Sequence, residues 1–170
     1  MIRNLGKKQP KIARSAFVSE AAYVVGDVEI GEDSSVWPGA VIRADMNPVR
    51  IGKNTHVEDT VVIHGGLTPI TIGDNVVIGH CAMVHAETVG DNVLIGINSA
   101  LLHRVEIGNR CIIAGGAVVP DGMKVPDGSF VAGVPAEIKG EISEKHLVWI
   151  DGTVASSYVE LAREYKEAKL

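Results

Sequence analysis

Aromatic residues are scarce, at 4% of the 170 positions. Cysteine is scarcer still: Cys81 and Cys111 are too few for a disulfide framework. No apolar run approaches the length that crosses a bilayer. The opening ten residues, Met1 to Pro10, lack the apolar stretch of a signal peptide. Basic side chains are outnumbered, with Lys+Arg 16 against Asp+Glu 21 and a net charge of −5. That balance speaks against nucleic acid or an anionic membrane surface as a partner. Leucine is also short: 8 residues, against 24 valines and 17 isoleucines. Helical cores favour leucine, whereas β-branched side chains suit a pleated surface. The expectation is one strand-dominated, soluble, cytoplasmic domain over residues 1–170.

What the chain does have is a period of six. Val18, Val24, Ile30, Val36 and Ile42 form one series, and Ile51, Val57 and Ile63 a second. Ile72, Ile78 and Val84 form a third. After one short step the series runs through Val89, Ile95, Leu101, Ile107, Ile113, Val119, Val125 and Val131. Every one of these positions is Val, Ile or Leu. Glycine follows at 31, 52, 73, 79, 90, 96 and 108, often leading into Asp or Asn, residues that tolerate tight corners. Six residues are too many for a helical turn. They fit a solenoid in which each side is a short strand plus a corner, stacked as parallel sheets over residues 18–136. Past that point the pattern changes. Val159, Leu161, Ala162 and Tyr165 recur at helical spacing, which predicts a helix over about 155–168 within a C-terminal extension, 137–170.

The ladder also ranks the histidines. His64 follows Ile63 and His85 follows Val84, so the two occupy the same corner of adjacent coils, about 4.8 Å apart. Imidazoles at that spacing can converge on one metal ion. Arg43 follows Ile42 and falls in the same column. Asp59 and His80, each two past a ladder residue, make a second column. The five residues from His80 to His85 span roughly 16 Å when extended, too far for one subunit's three imidazoles to share an ion. A third ligand from His80 must therefore serve a neighbouring subunit, and for a three-sided prism the simplest closed ring is a trimer. His103 and His146 gain no partner from this arithmetic, and Cys81 and Cys111 read as small side chains within hexads.

The run Arg43-Ala44-Asp45-Met46-Asn47-Pro48-Val49-Arg50-Ile51-Gly52, then Glu58-Asp59, His64, Gly79-His80 and His85, resembles the gamma-class carbonic anhydrase family. The ladder resembles its left-handed parallel β-helix of hexapeptide repeats. The resemblance implies a homotrimer with metal sites between subunits and His64, His80 and His85 as ligands. The ion would be Zn2+ (alternatively Fe2+ or Co2+), activating water for attack on carbon dioxide to give bicarbonate. Arg43 and Asp45 match the family's arginine and aspartate, and Asp59 matches an acidic position that pairs across the interface. Glu58 stands where the family usually has Gln, and His56 where it often has Asn. Both are expected proton carriers, and Tyr158 resembles a tyrosine near the metal. Two other functions fit the ladder: an acyl or CoA-thioester enzyme, and a non-catalytic metal-binding scaffold subunit.

Overall fold

The structure, a computed structural model, describes residues 1–150 and 153–169; Asp151, Gly152 and Leu170 lie outside it. The chain coils as a left-handed parallel β-helix with three faces. The first face stacks Phe17–Val18, Ser35–Val36, His56–Val57, Val77–Ile78, Leu94–Ile95, Ile112–Ile113 and Ser129–Gly133. The second contains the start of Val41–Ile51, then Val62–His64, Met83–Val84, Ala100–Leu101 and Val118–Val119. The third contains the end of Val41–Ile51, then Ile70–Ile72, Thr88–Val89, Glu106–Ile107 and Lys124–Val125. The long strands Tyr23–Ile30 and Val41–Ile51 run around the corner between the second and third faces.

Register follows the ladder. Val57 lies opposite Ile78, Ile63 opposite Val84, and Ile72 opposite Val89. The ladder side chains point inward and close a single apolar core; Ile42, Ile63, Ile78, Ile95 and Leu101 are fully buried. Coiling begins upstream of Val18, because Lys11–Ile12 already pairs with Glu29–Ile30.

The corners explain the turn residues. Three positions past a ladder residue the backbone enters the left-handed region, at Asp33, Asn54, Asn75, Asn92 and Arg110 on one edge of the prism. Asn and Asp bear that conformation more readily than other residues with a side chain. On the same edge, Asp74 accepts the Lys53 N–H at 2.7 Å and Asp91 accepts the Asp74 N–H at 2.8 Å. Asn109 and Asp127 continue this ladder upward. Gly26 is needed for space as well as for its φ of 90°: an added Cβ would lie 2.2 Å from the Ala44 carbonyl oxygen.

At the far end the direction reverses. Ser129–Gly133 pairs antiparallel with Ala136–Glu141. Two helical segments follow, α1 (Glu144–Ile150) and α2 (Thr153–Glu167). The first lies upstream of the helix read from periodicity. Tyr158, Ala162 and Tyr165 of α2 pack on Phe17 and Trp37 of the first face, with ring centroids 5.1 Å apart for Trp37 and Tyr165. Lys166 Nζ ties the end of α2 to the Arg14 and Ala16 carbonyls. Among the described residues, no helix is long and apolar enough to cross a membrane.

Candidate metal centre

The coil arithmetic becomes side-chain contact along the second face. Arg43 lies level with His64 in the strand register. Both open short excursions that stack on each other: Asn47 N–H donates to the Gly65 carbonyl at 2.8 Å, and Asn47 Nδ2 to the Gly66 carbonyl at 2.7 Å. These bonds seat Asp45 beside the imidazole. Arg43 pairs with Asp45 at 2.5 Å. The Arg43 guanidinium reaches His64 Nδ1 at 3.3 Å, and His64 Nε2 meets Asp45 Oδ1 at 3.1 Å. The His64 and His85 rings are 5.3 Å apart, edge to face. Burial disfavours the charged form of Asp45, but hydrogen bonds from His64 and Arg43 outweigh it and hold the carboxyl below its usual range. His85 is pushed below the usual imidazole range, chiefly by burial and then by His103, His64 and Arg43. A neutral imidazole is the form a metal ligand requires.

The second cluster sits where the first face turns toward the second. Glu58 follows Val57, and His80 lies two past Ile78, which is opposite Val57. His80 is bracketed: Nε2 is 3.0 Å from Glu58 Oε2, and Nδ1 is 3.0 Å from Asp59 Oδ2. The His80 backbone N–H also donates to Glu58, at 3.0 Å. Tyr158, arriving on α2, donates its hydroxyl to Glu58 Oε1. Burial, then the Glu58 carboxylate, holds the tyrosine's pKa above its ordinary value. A cavity of about 460 Å³ opens beside this cluster, lined by Glu58, His80, Ile97, Trp149 and Tyr158.

The sequence-derived residues thus fall into two half-sites. Arg43, Asp45, His64 and His85 meet in one; Glu58, Asp59, His80 and Tyr158 meet in the other. Among the described residues, no three His, Cys, Asp or Glu side chains of the single chain form a metal-holding group.

One expectation is corrected. His56 is fully buried, stacked on Tyr158 with ring centroids 5.3 Å apart, and opens no route to solvent for a proton. Its Nδ1 lies 2.8 Å from Ser35 Oγ, which also accepts the Trp37 indole N–H. Nε2 is buried without a hydrogen-bond partner among the described residues. Burial lowers its pKa to about 4, and the Ala155 backbone offsets a little of this.

One residue was missed. His103 stands against His85, with ring centroids 4.5 Å apart. The signal was a spacing of 18 residues, one more than the 17-residue coil that the short step creates here.

Known proteins are similar to this chain over nearly its whole length. The family profile described as "Bacterial transferase hexapeptide (six repeats)" matches residues 88–121. "Probable carbonic anhydrase" of Methanocaldococcus jannaschii is 38% identical over 159 residues, covering 93% of this chain and 99% of that one. "Gamma carbonic anhydrase 2, mitochondrial" of Arabidopsis thaliana is 33% identical over 169 residues, covering 95% of this chain. The chain belongs to the gamma-class carbonic anhydrase-like family. It spans 60% and 62% of the length of two mitochondrial Arabidopsis members of that family. A solved structure from Bacillus cereus, described as a putative acetyltransferase, superposes with a TM-score of 0.91. It is 33% identical and covers 98% of this chain and 97% of that one.

Proposed function

We propose that this gamma-class family member is a metal-dependent hydro-lyase, combining carbon dioxide and water into bicarbonate and a proton. Its active form would be a homotrimer with one site at each subunit interface. The observation that carries this reading is the division of the donors: a His64–His85 pair on one face and a lone His80 on another corner. An isologous contact cannot bring two different patches together, whereas a heterologous ring can. Exposed Met46, Leu67 and Met83 surround the His64–His85 half and give it an apolar rim suited to a partner.

The donor set fits a dication once His64 and His80 each release one of the two ring-nitrogen contacts they make within the chain. Three imidazoles are neutral ligands, and burial shifts His85 toward the neutral form. His64 and His85 of one subunit with His80 of the next would hold the ion, with Zn2+ the leading choice and Fe2+ or Co2+ the alternatives. When bound, such an ion lowers the pKa of water to about 7, the figure known for carbonic anhydrase itself. The chain's own groups do the rest. Arg43 and Asp45 position the His64 ring through contacts at its two nitrogens, one of which must open for an ion to bind. Glu58, gripped by the Tyr158 hydroxyl and the His80 N–H, cannot swing away and keeps its carboxylate beside His80. There it can accept the hydrogen bond of the attacking water and take up its proton. Asp59, half exposed on the far side of His80, offers the next acceptor toward solvent. The free thiols of Cys81 and Cys111 suit a reducing compartment such as the cytoplasm.

A carbon dioxide hydration assay on metal-loaded, reduced protein tests this reading. Turnover that disappears with chelation is expected. Metal bound at the site without hydration would instead make the chain a scaffold subunit. The cavity beside His80 favours a second reading, an acyl or CoA-thioester enzyme, in keeping with the name of the Bacillus cereus neighbour. Retention on immobilised CoA, with no metal in the protein, would replace the first reading with the second.

A further inference from the structure

Resting on that reading of the metal centre, we propose that His103 is a positioning residue: its imidazole fixes the ring and tautomer of His85, so that His85 offers Nε2 to the interface.

The contact is one-sided. His85 Nδ1 lies 3.2 Å from His103 Nδ1 and 3.3 Å from His103 Nε2, nearly equidistant from the two, so one nitrogen of His85 lies against the His103 ring. His103 is the only hydrogen-bonding partner of the His85 ring among the described residues. His64 differs: Arg43 and Asp45 take its two nitrogens. Metal-bound histidines ordinarily give their second ring N–H to a carboxylate, a carbonyl or water. Among the described residues no carboxylate is placed at His85 to receive it, and His103 fills that role.

The backbone explains why it can. His85 hangs from the next coil through its N–H to the Leu101 carbonyl at 2.9 Å, and the Leu102 N–H reaches Val119 at 3.1 Å. The His103 carbonyl in turn accepts the Gly122 N–H at 2.8 Å. Both rings are therefore anchored on consecutive rungs of one stack. One short step in the ladder, from Val84 to Val89, puts Leu102 level with His85. His103 thus arrives from one position beyond, toward the His85 edge. Two neutral imidazoles at this separation can form one N–H···N hydrogen bond. For Nε2 to be free as a donor to metal, His85 must carry its proton on Nδ1, and an unprotonated His103 nitrogen must accept it.

Two measurements on the full chain test this. The first uses metal-free protein above the imidazole titration range, where long-range ¹H–¹⁵N correlation spectra distinguish the tautomers. His85 is expected as the Nδ1–H form in the parent chain. In His103→Ala it should revert to the Nε2–H form that free imidazole favours. In His103→Gln, whose amide oxygen accepts the same hydrogen bond, the Nδ1–H form should return. The second is Co2+ affinity by competition with a chelating dye. His103→Ala should bind one ion per subunit about 10- to 100-fold more weakly, with His103→Gln recovering most of the loss. An Nε2–H tautomer in the parent chain, or unchanged tautomer and affinity in His103→Ala, would overturn the proposal. So would loss of metal as complete as in His85→Ala without rescue by Gln, because His103 would then be a ligand itself. A parent chain with the expected tautomer but no affinity for Co2+ would leave the His85–His103 contact standing and refute the metal centre instead.

Discussion

Tyr158 donates its hydroxyl to Glu58 across 100 residues of sequence, joining the C-terminal helix to a corner of the solenoid. Glu58 is thereby buried with both oxygens engaged, one by Tyr158 and one by His80. Removing the hydroxyl while keeping the ring separates packing from chemistry. In Tyr158→Phe the trimer and its metal should persist while hydration falls about tenfold, because Glu58 loses its anchor. Stopped-flow hydration rates set against metal content check this; a variant as active as the parent would make Tyr158 a packing residue only.

Glu58→Gln restores the neutral amide usual in the family. The Tyr158 hydroxyl can rotate to accept from the new amide, so the network survives the change. Metal content should be unchanged and hydration equal or higher. A collapse in rate, with metal retained, would show that Glu58 itself takes the proton.

A division of ligands between subunits would have its own signature. When His64→Ala and His80→Ala chains are co-expressed and assemble at random, about three-quarters of trimers are mixed. Each mixed ring holds one intact site in three, so about one quarter of sites should regain metal. Mixing His64→Ala with His85→Ala should regain none, since both ligands come from one face of one chain. Metal recovery in neither mixture would put all three histidines in a single subunit.

His56 makes stability depend on pH. Its pKa is about 4 in the fold and 6.5 when exposed, so between those values the unfolded chain binds the extra proton. Its contribution is full above pH 6.5 and is lost as pH falls toward 4, by up to about 3 kcal/mol. Urea midpoints from pH 8 to 4.5 should fall more steeply for the parent than for His56→Asn. Parallel curves would mean that His56 is already charged in the fold.

Most of the architecture was legible in the sequence because an inward-facing ladder is a one-dimensional code. Each coil touches only its neighbours, so spacing along the chain converts directly into height and face. Arg43, His64 and His85 fell into one column and Asp59 and His80 into another by counting alone. Counting failed where the chain leaves the ladder. The tilt of His103 toward His85 comes from a single shortened step, and no sum of hexads shows which way a ring leans. The burial of His56 depends on α2, whose docking rests on four aromatic rings rather than on period. α1 is too short for its own pattern to stand out.

A stack of parallel coils is an unfinished fibre, and its last rung offers unpaired N–H and C=O groups to any passing strand. On the first face the antiparallel return of Ala136–Glu141 along Ser129–Gly133 occupies that rung with the chain's own backbone, running the wrong way for another molecule's coil to continue the spiral there. Molecular length is thus set by a change of direction. A chain cut before Ala136 would keep its coils and expose a template for filaments.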